Sequence, residues 1–416
     1  MPQNTTASLN IAVVSETYPP EINGVANTMR QLVEGLMRHG HQVTVVRPRQ
    51  RTDRGRGATP HDQVRDQVCG HAPGQLLVPG LPIPGYRGLR FGMPVYWRLR
   101  HLWKRRPPDA IYVATQGPLG HAALNAARAC DIAVLTGFHT QFHQYSRHYG
   151  LGLLTSAIVN SLRNFHNRSD GTLVPTSALE HELDEDGFRN VHVFSRGVDT
   201  KLFSPARRCA DLRRAWGCDD TSPQAAGVVA LYVGRIAAEK NIGLALEAFD
   251  AMTSAHAHAR CVLVGDGPEL ARLRGLHPDF VFTGAKIGEE LARHYASADY
   301  FVFPSLTETF GNVVPEAMAS ALPVVAFDYA AAHEHIRNWE NGVLIPTTDR
   351  TGFIDATVAA ASDRGRLRHM GARARASAES LSWDRVIGDV EQRLHEVIRH
   401  HRDARGRHEN LAATTE

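Results

Sequence analysis

The stretch from Tyr300 to Phe327, YFVFPSLTETFGNVVPEAMASALPVVAF, decides the fold. It opens on an apolar run, Tyr300 to Phe303, of the kind that forms a strand buried on both faces. The small and polar residues from Ser305 to Asn312 predict a loop. Pro315 suits the first turn of a helix, where its missing N–H costs no hydrogen bond, and Glu316 to Ala321 continue as helix formers. Pro323 stops that helix before a second apolar run, Val324 to Phe327. Strand, loop, helix and strand in this order make the repeating unit of a parallel α/β sheet. Glu308 and Glu316 lie eight residues apart within it. On one continuous helix that spacing rotates a side chain by about 80°, so the two carboxylates would not share a face. With Glu308 on the loop and Glu316 in the first turn, both can point to the crevice beyond the strand ends, where open α/β sheets bind ligands.

The same alternation extends through both halves of the chain. Leu9 to Val14 predicts a first strand, and Asn27 to Arg38 a helix with Met29, Leu32, Val33, Leu36 and Met37 on one face. Gly40 ends the helix before the strand Gln42 to Val46, completing a βαβ unit. Gly24, in the connecting loop, can let backbone amides approach a phosphate at the helix N-terminus. Further strands are predicted at Ala110–Val113, Ile132–Leu135, Thr172–Pro175 and Val191–Phe194, with a mobile polar loop from Arg47 to Gly74. In the second half, strands fall at Gly227–Val233 and Cys261–Val264. Arg235 closes the first of these and Lys240 precedes a helix at Asn241. Two cations and a helix N-terminus at one strand end suit a diphosphate.

With 416 residues the chain is too long for one ordinary core and predicts two domains. A hydrophobic content of 43% with 21% charged residues belongs to a folded chain, and the net charge of +3 gives no general affinity for nucleic acid. The five cysteines (Cys69, Cys130, Cys209, Cys218, Cys261) are odd in number and form no CxxC pair, which points away from a disulfide framework or a zinc site. The opening residues MPQNTTASLN do not read as a signal peptide, and no apolar run is long enough to span a bilayer. A cytoplasmic location follows as an expectation.

Charge is unevenly spread. From Tyr86 to Arg106 there are seven Lys or Arg residues (Arg87, Arg90, Arg98, Arg100, Lys104, Arg105, Arg106), no acid, and five interleaved aromatics (Tyr86, Phe91, Tyr96, Trp97, Trp103). That composition suits an anionic membrane surface. It equally suits a helix whose aromatics pack inward while its arginines reach water. No nucleic-acid motif accompanies it. His139 falls just past a strand end, and His143 follows at a metal-compatible spacing without a third ligand nearby. No metal site is therefore expected. Asp184-Glu185-Asp186 sits before Gly187 at a helix end and reads as solvated charge.

The Glu308-x7-Glu316 spacing inside ETFGNVVPEAMA resembles the signature of the retaining family 4 glycosyltransferases. Three other segments resemble the same family: ETYPPEINGVANT around Gly24, the Phe138-His139-Thr140 tripeptide, and GRIAAEKN at Gly234, Arg235, Glu239, Lys240 and Asn241. The resemblance implies an α/β GT-B fold: two Rossmann-like domains with parallel sheets facing across a cleft, and a C-terminal helix crossing back to the first domain. It implies residues 1–203 as an acceptor-binding domain and 204–382 as the donor-binding domain. Residues 383–402 would be the returning helix and 403–416 a disordered tail. As implied roles, His139, Glu308, Arg235 and Lys240 would be catalytic. Gly24, Arg196, Gly234, Asn241, Ile287, Phe310, Gly311, Asn312 and Glu316 would bind the donor, with Glu316 on the ribose. His143 and His148 have no counterpart.

The implied activity is metal-independent hexose transfer from a nucleotide sugar, GDP-mannose or UDP-glucose, to a lipid or glycolipid hydroxyl at the inner face of the cytoplasmic membrane. The likeness is to α-mannosyltransferases and to sulfoquinovosyl- or glucosyl-diacylglycerol synthases. A sugar-nucleotide epimerase and a catalytically silent sugar-nucleotide-binding protein are the alternatives. A glycoside hydrolase using Glu308 and Glu316 would leave Arg235 and Lys240 without a task. One departure stands out: the family often has Gly-x-Pro where this chain has Ala321-Leu322-Pro323.

Overall fold

The computed structural model describes residues 7–21, 23–50, 53, 73–82, 90–139, 152–219, 221, 227–308 and 310–413. The chain forms two compact units, Met1–Ser195 with Asp384–Glu416, and Arg196–Trp383.

In the first unit the strands are β1 (Asn10–Val14), β2 (Gln42–Pro48), β3 (Gly74–Val78), β4 (Gly80–Pro82), β5 (Arg90–Gly92), β6 (Ala110–Val113), β7 (Ala133–Gly137), β8 (Gly171–Val174) and β9 (Val191–Val193). Seven make one parallel sheet in the order β3-β2-β1-β6-β7-β8-β9, while β4 and β5 form an antiparallel pair with Leu81 opposite Phe91. The central strands are buried along all of their length, or in β1 all but its first residue Asn10, as parallel strands covered on both faces must be. Helices α1 (Gly24–Arg38), α2 (Tyr96–Arg105), α3 (Pro118–Ala129), α4 (Gly152–His166) and α5 (Ser177–Glu185) connect them. Helix α1 starts at Asn23, whose side chain accepts from the Ala26 amide, and ends before Gly40 at φ +92°.

The second unit has β10 (Val229–Val233), β11 (Arg260–Val264), β12 (Val281–Gly284), β13 (Tyr300–Phe303), β14 (Val324–Phe327) and β15 (Gly342–Ile345) in the parallel order β12-β11-β10-β13-β14-β15. Its main helices are α6 (Ile242–Ala255), α7 (Gly288–Ser297), α8 (Val313–Ala319), α9 (Ala330–His335), α10 (Arg350–Ala361) and α11 (Arg364–Glu379). Strand alternation splits the core into two faces. Leu231, Phe301 and Val324 pack on one, and Tyr232, Val302 and Val325 on the other. Strand order reverses beside β1 in one sheet and beside β10 in the other, so the loops after these strands open at the topological switch points where such sheets take ligands.

Three expectations are corrected. Arg47 does not begin a loop: β2 continues to Pro48, and the buried Arg47 guanidinium pairs with Asp53 at 2.8 Å. Residues 196–203 belong to the second unit, because Val198 and Phe203 are buried in its core and Phe203 packs edge-on against Tyr295. Residues 403–413 are not a disordered tail but the end of α12 (Trp383–Ala413), and residues 414–416 lie outside the described residues. Extending an existing helix through Arg, Ala, Glu and Leu needs no new nucleation.

Ala321, the residue that departs from Gly-x-Pro, lies just past α8 at φ +61°. An L-residue there carries about 1–2 kcal/mol of strain, against the roughly 0.5–1 kcal/mol that glycine's extra freedom costs in the unfolded chain. Ala321→Gly is expected to raise stability by up to about 1 kcal/mol, read as a higher urea midpoint; a lower midpoint would contradict the strain argument.

Candidate active site

The loops after β10 and β13 of the second unit meet through a charge pair. Lys240 closes a short turn (Ala238–Lys240) and its Nζ lies 2.6 Å from Glu308 Oε1, with both side chains about four-fifths buried. Ser305 Oγ donates to the same carboxylate oxygen at 2.9 Å, and the Tyr329 hydroxyl donates to the Glu308 carbonyl at 3.0 Å. Thr307 Oγ1 donates to the Glu239 carbonyl at 2.7 Å, and Asn241 Nδ2 to the Pro304 carbonyl at 3.2 Å. The two loops therefore form one hydrogen-bonded edge. Asn241 accommodates φ +54° where the turn passes into α6, a conformation Asn tolerates well.

Arg235 stands at the same strand end, exposed and bridged to Glu239 at 2.9 Å. Gly234 leaves no room for a side chain, since a Cβ would lie 2.9 Å from the Tyr232 hydroxyl. Glu316 is in the first turn of α8, partly buried, and accepts from the Tyr295 hydroxyl at 3.1 Å. Burial pushes its carboxyl up to about 7, outweighing that hydrogen bond. Gly311 turns the chain at φ +92° and Asn312 precedes α8. Phe310 is not at the surface of this edge: its ring is buried in the core, 5.7 Å from the His335 ring. Ile287, at the start of α7, is 63% exposed.

In the first unit, Gly24 is the first residue of α1. His139 follows β7, is buried, and shares a 2.7 Å hydrogen bond between Nε2 and the Tyr112 hydroxyl. Gly137 is required there, because a Cβ would stand 2.2 Å from that hydroxyl. Arg196 is buried at the start of the second unit. Cys69, Tyr86, Arg87, Thr140, His143 and His148 lie outside the described residues. Among the described residues no group of three His, Cys, Asp or Glu could hold a metal ion, and no helix is long and apolar enough to cross a membrane.

Residues 22–202 match the family described as Glycosyltransferase Family 4, and residues 227–363 the one described as Glycosyl transferases group 1. A GDP-mannose-dependent alpha-mannosyltransferase of Mycobacterium tuberculosis is 34% identical over 408 residues, 97% of this chain and 99% of that relative. The chain belongs to glycosyltransferase family 4. A sulfoquinovosyl transferase of Arabidopsis thaliana is 28% identical over 92% of this chain and 72% of its own length. Among solved structures, the sucrose-phosphate synthase of Thermosynechococcus elongatus superposes with a TM-score of 0.71 at 20% identity, covering 93% of this chain and 98% of that one. An Anabaena protein in complex with UDP gives 0.71 at 18% identity, with 93% and 100% covered. The fold is GT-B, and this family 4 member is a hexosyltransferase.

Sequence reasoning placed Lys240 and Glu308 on separate loops with separate tasks; the structure joins them directly. It missed Tyr295, Tyr112, Ser305 and Tyr329, which fix the residues it named. It also missed Glu16, the acid that follows β1. The signal was available, since a carboxylate directly after an apolar strand of a parallel sheet falls at the ligand-binding edge.

Proposed function

We propose that this glycosyltransferase moves mannose from GDP-mannose, with retention of configuration and without a metal, to a hydroxyl of a lipid or glycolipid at the inner face of the cytoplasmic membrane. The observation that carries the donor assignment is the 34% identity over nearly the whole chain to a GDP-mannose-dependent mannosyltransferase. The lipid acceptor is supported by the likeness to an alpha-monoglucosyldiacylglycerol synthase of Streptococcus pneumoniae.

The chemistry follows from charge. When the bond between mannose C1 and the diphosphate breaks, negative charge grows on the leaving GDP. Arg235 and Lys240 are the cations of this edge, and fixed positive groups aimed at developing charge are the strongest catalytic device available to a site that does not use a metal. Lys240 is already held by Glu308 at 2.6 Å. The pair keeps the ammonium oriented before the donor arrives, and leaves the other carboxylate oxygen of Glu308 to accept from sugar hydroxyls. Glu316 would take the ribose and His139, fixed by Tyr112, would act at the sugar. A thermal-shift and nucleotide-release panel with GDP-mannose, UDP-glucose, UDP-galactose and UDP-glucuronate, with and without EDTA, tests this. Stabilisation and GDP release with GDP-mannose alone, insensitive to EDTA, is expected; a UDP-sugar preference or EDTA inactivation overturns the donor or the metal-free assignment.

The membrane reading rests on α2 and the adjoining strand pair. Trp103 and Leu99 of α2 are buried, whereas Trp97 is 75% exposed beside exposed Arg98, Lys104 and Arg105. The inward packing weighed from the sequence therefore describes Trp103 but not Trp97. Leu81, Phe91 and Met93 add further apolar surface. Replacing Arg98, Arg100, Lys104 and Arg105 by Ser removes four charges, each worth about 1 kcal/mol near an anionic surface. Binding to phosphatidylglycerol vesicles in a sedimentation assay is expected to fall at least about a hundredfold; unchanged sedimentation would rule the surface out.

A further inference from the structure

Glu16 has no task in the reading above, yet its surroundings are built around its charge. It follows β1 and is 8% exposed. Its Oε2 accepts from the Gly92 amide at 3.1 Å and its Oε1 from the Leu119 amide at 3.0 Å, while its own amide donates to Thr115 Oγ1 at 2.9 Å. Gly92 ends β5 and Leu119 is in the first turn of α3, so three elements remote in sequence converge on one side chain. The space is closed: a Cβ at Gly117 would lie 2.1 Å from Oε1, and one at Gly92 would lie 2.8 Å from the Leu119 side chain. Burial pushes the carboxyl up to about 7 despite these amides and that of Gly120. Holding a carboxylate there is costly, and a neutral side chain of similar volume would pack at lower cost.

What Glu16 joins suggests why it is retained. On one side stands the strand pair β4–β5, whose opposed residues Leu81 and Phe91 are 58% and 42% exposed. Met93 and Trp97 extend this surface, and no acid interrupts the basic run from Arg90 to Arg106. On the other side is Thr17, the next residue in the chain. Thr17 Oγ1 accepts from Asn23 Nδ2 at 2.7 Å, and Asn23 Oδ1 caps α1 through the Ala26 amide at 2.8 Å, directly over Gly24. A continuous path of hydrogen bonds and one peptide unit thus runs from Gly92 to the N-terminus of α1.

We propose that Glu16 is a positioning residue that links the strand pair β4–β5 to the loop carrying the N-terminus of α1, so that seating the pair on an anionic bilayer orders that loop. The proposal rests on the membrane reading given above. It assigns Glu16 no contact with substrate: the residue acts through Gly92 on one side and Thr17 on the other.

Hydrogen exchange on the full chain, with and without phosphatidylglycerol vesicles, tests the link. In the natural sequence, vesicles are expected to slow exchange about tenfold both in residues 74–82 and 90–106 and in residues 15–21. Glu16→Gln keeps the side-chain volume and should retain the first effect while losing the second. Should that variant fail to fold, the exposed double substitution Leu81→Ser with Phe91→Ser reads the link from its other end and should lose both effects. Slowing at the strand pair without slowing at 15–21, or slowing at 15–21 that persists in either variant, overturns the proposal while leaving the membrane reading intact. No slowing at the strand pair overturns the membrane reading and the proposal with it.

Discussion

Glu308→Gln is expected to slow transfer from GDP-mannose by about 10²–10³-fold, the usual cost of deleting one preorganised polar group at a reacting centre. The amide keeps the size of the side chain and can still accept from Ser305 Oγ and Lys240 Nζ, which now meet at one carboxylate oxygen. What it loses is the charge that holds the ammonium and the second acceptor oxygen for sugar hydroxyls. The stability change should be small, because a pair that water still reaches contributes about 1 kcal/mol or less. Initial rates of GDP release, together with a thermal melt, check both halves. Near-normal turnover with an unchanged melt would remove Glu308 from the mechanism.

Glu316 should behave in the opposite way in stability. Its carboxyl titrates at about 7 in the folded chain against 4.5 as a free group, because burial disfavours the charged form. Between those values the folded state holds more protons than the unfolded state, so stability falls as pH rises through the window from about 4.5 to about 7. The penalty is fully present above the folded value, at pH 8, and is on the order of 3 kcal/mol. Glu316→Gln removes it while keeping an acceptor for the Tyr295 hydroxyl. Urea melts should therefore show the variant more stable at pH 8 and little changed at pH 4.5. A gain of equal size at both pH values would show that desolvation of the charge is not its cause. The same variant is expected to bind GDP about tenfold more weakly at pH 8, since ionised carboxylates accept hydrogen bonds more strongly than amides. A stabilised variant with impaired binding is what a buried carboxylate kept for function predicts.

The opening stretch was legible because fully buried parallel strands announce themselves as short apolar runs between breakers. Tyr300–Phe303, Val324–Phe327 and Ala110–Val113 fall where the sequence places them. Strands β3, β4 and β5 were not legible. They are short, lie among glycines and prolines, and keep partly exposed faces, so no periodicity marks them. The candidate site shows the same division. Glu308 and Glu316 could be found from spacing, because spacing along one loop and helix is local. The partnership of Lys240 with Glu308 could not, since 68 residues separate them. Nor could the contacts of Glu16, whose place after the strand was legible but whose partners are backbone amides of Gly92 and Leu119; backbone groups carry no residue-specific signature. Nor could the burial of Phe310 in the core, since no periodicity marks a single loop residue.

The make-up of the first unit sets an order of events during synthesis. Residues 196–383 form a contiguous block and can fold as soon as they clear the ribosome. The first unit cannot be finished then, because Ile387, Val390 and Leu394 of α12 are buried. Ile387 presses on Gly35 so closely that a Cβ there would lie 2.4 Å from it. Glu391, also on α12, bonds His39 at 2.8 Å. The part of the chain made first is therefore the part completed last. Ribosome-bound chains ending at residue 383, followed by a flexible linker long enough to fill the exit tunnel, should carry a protease-resistant second unit and a nascent first unit still open to cleavage.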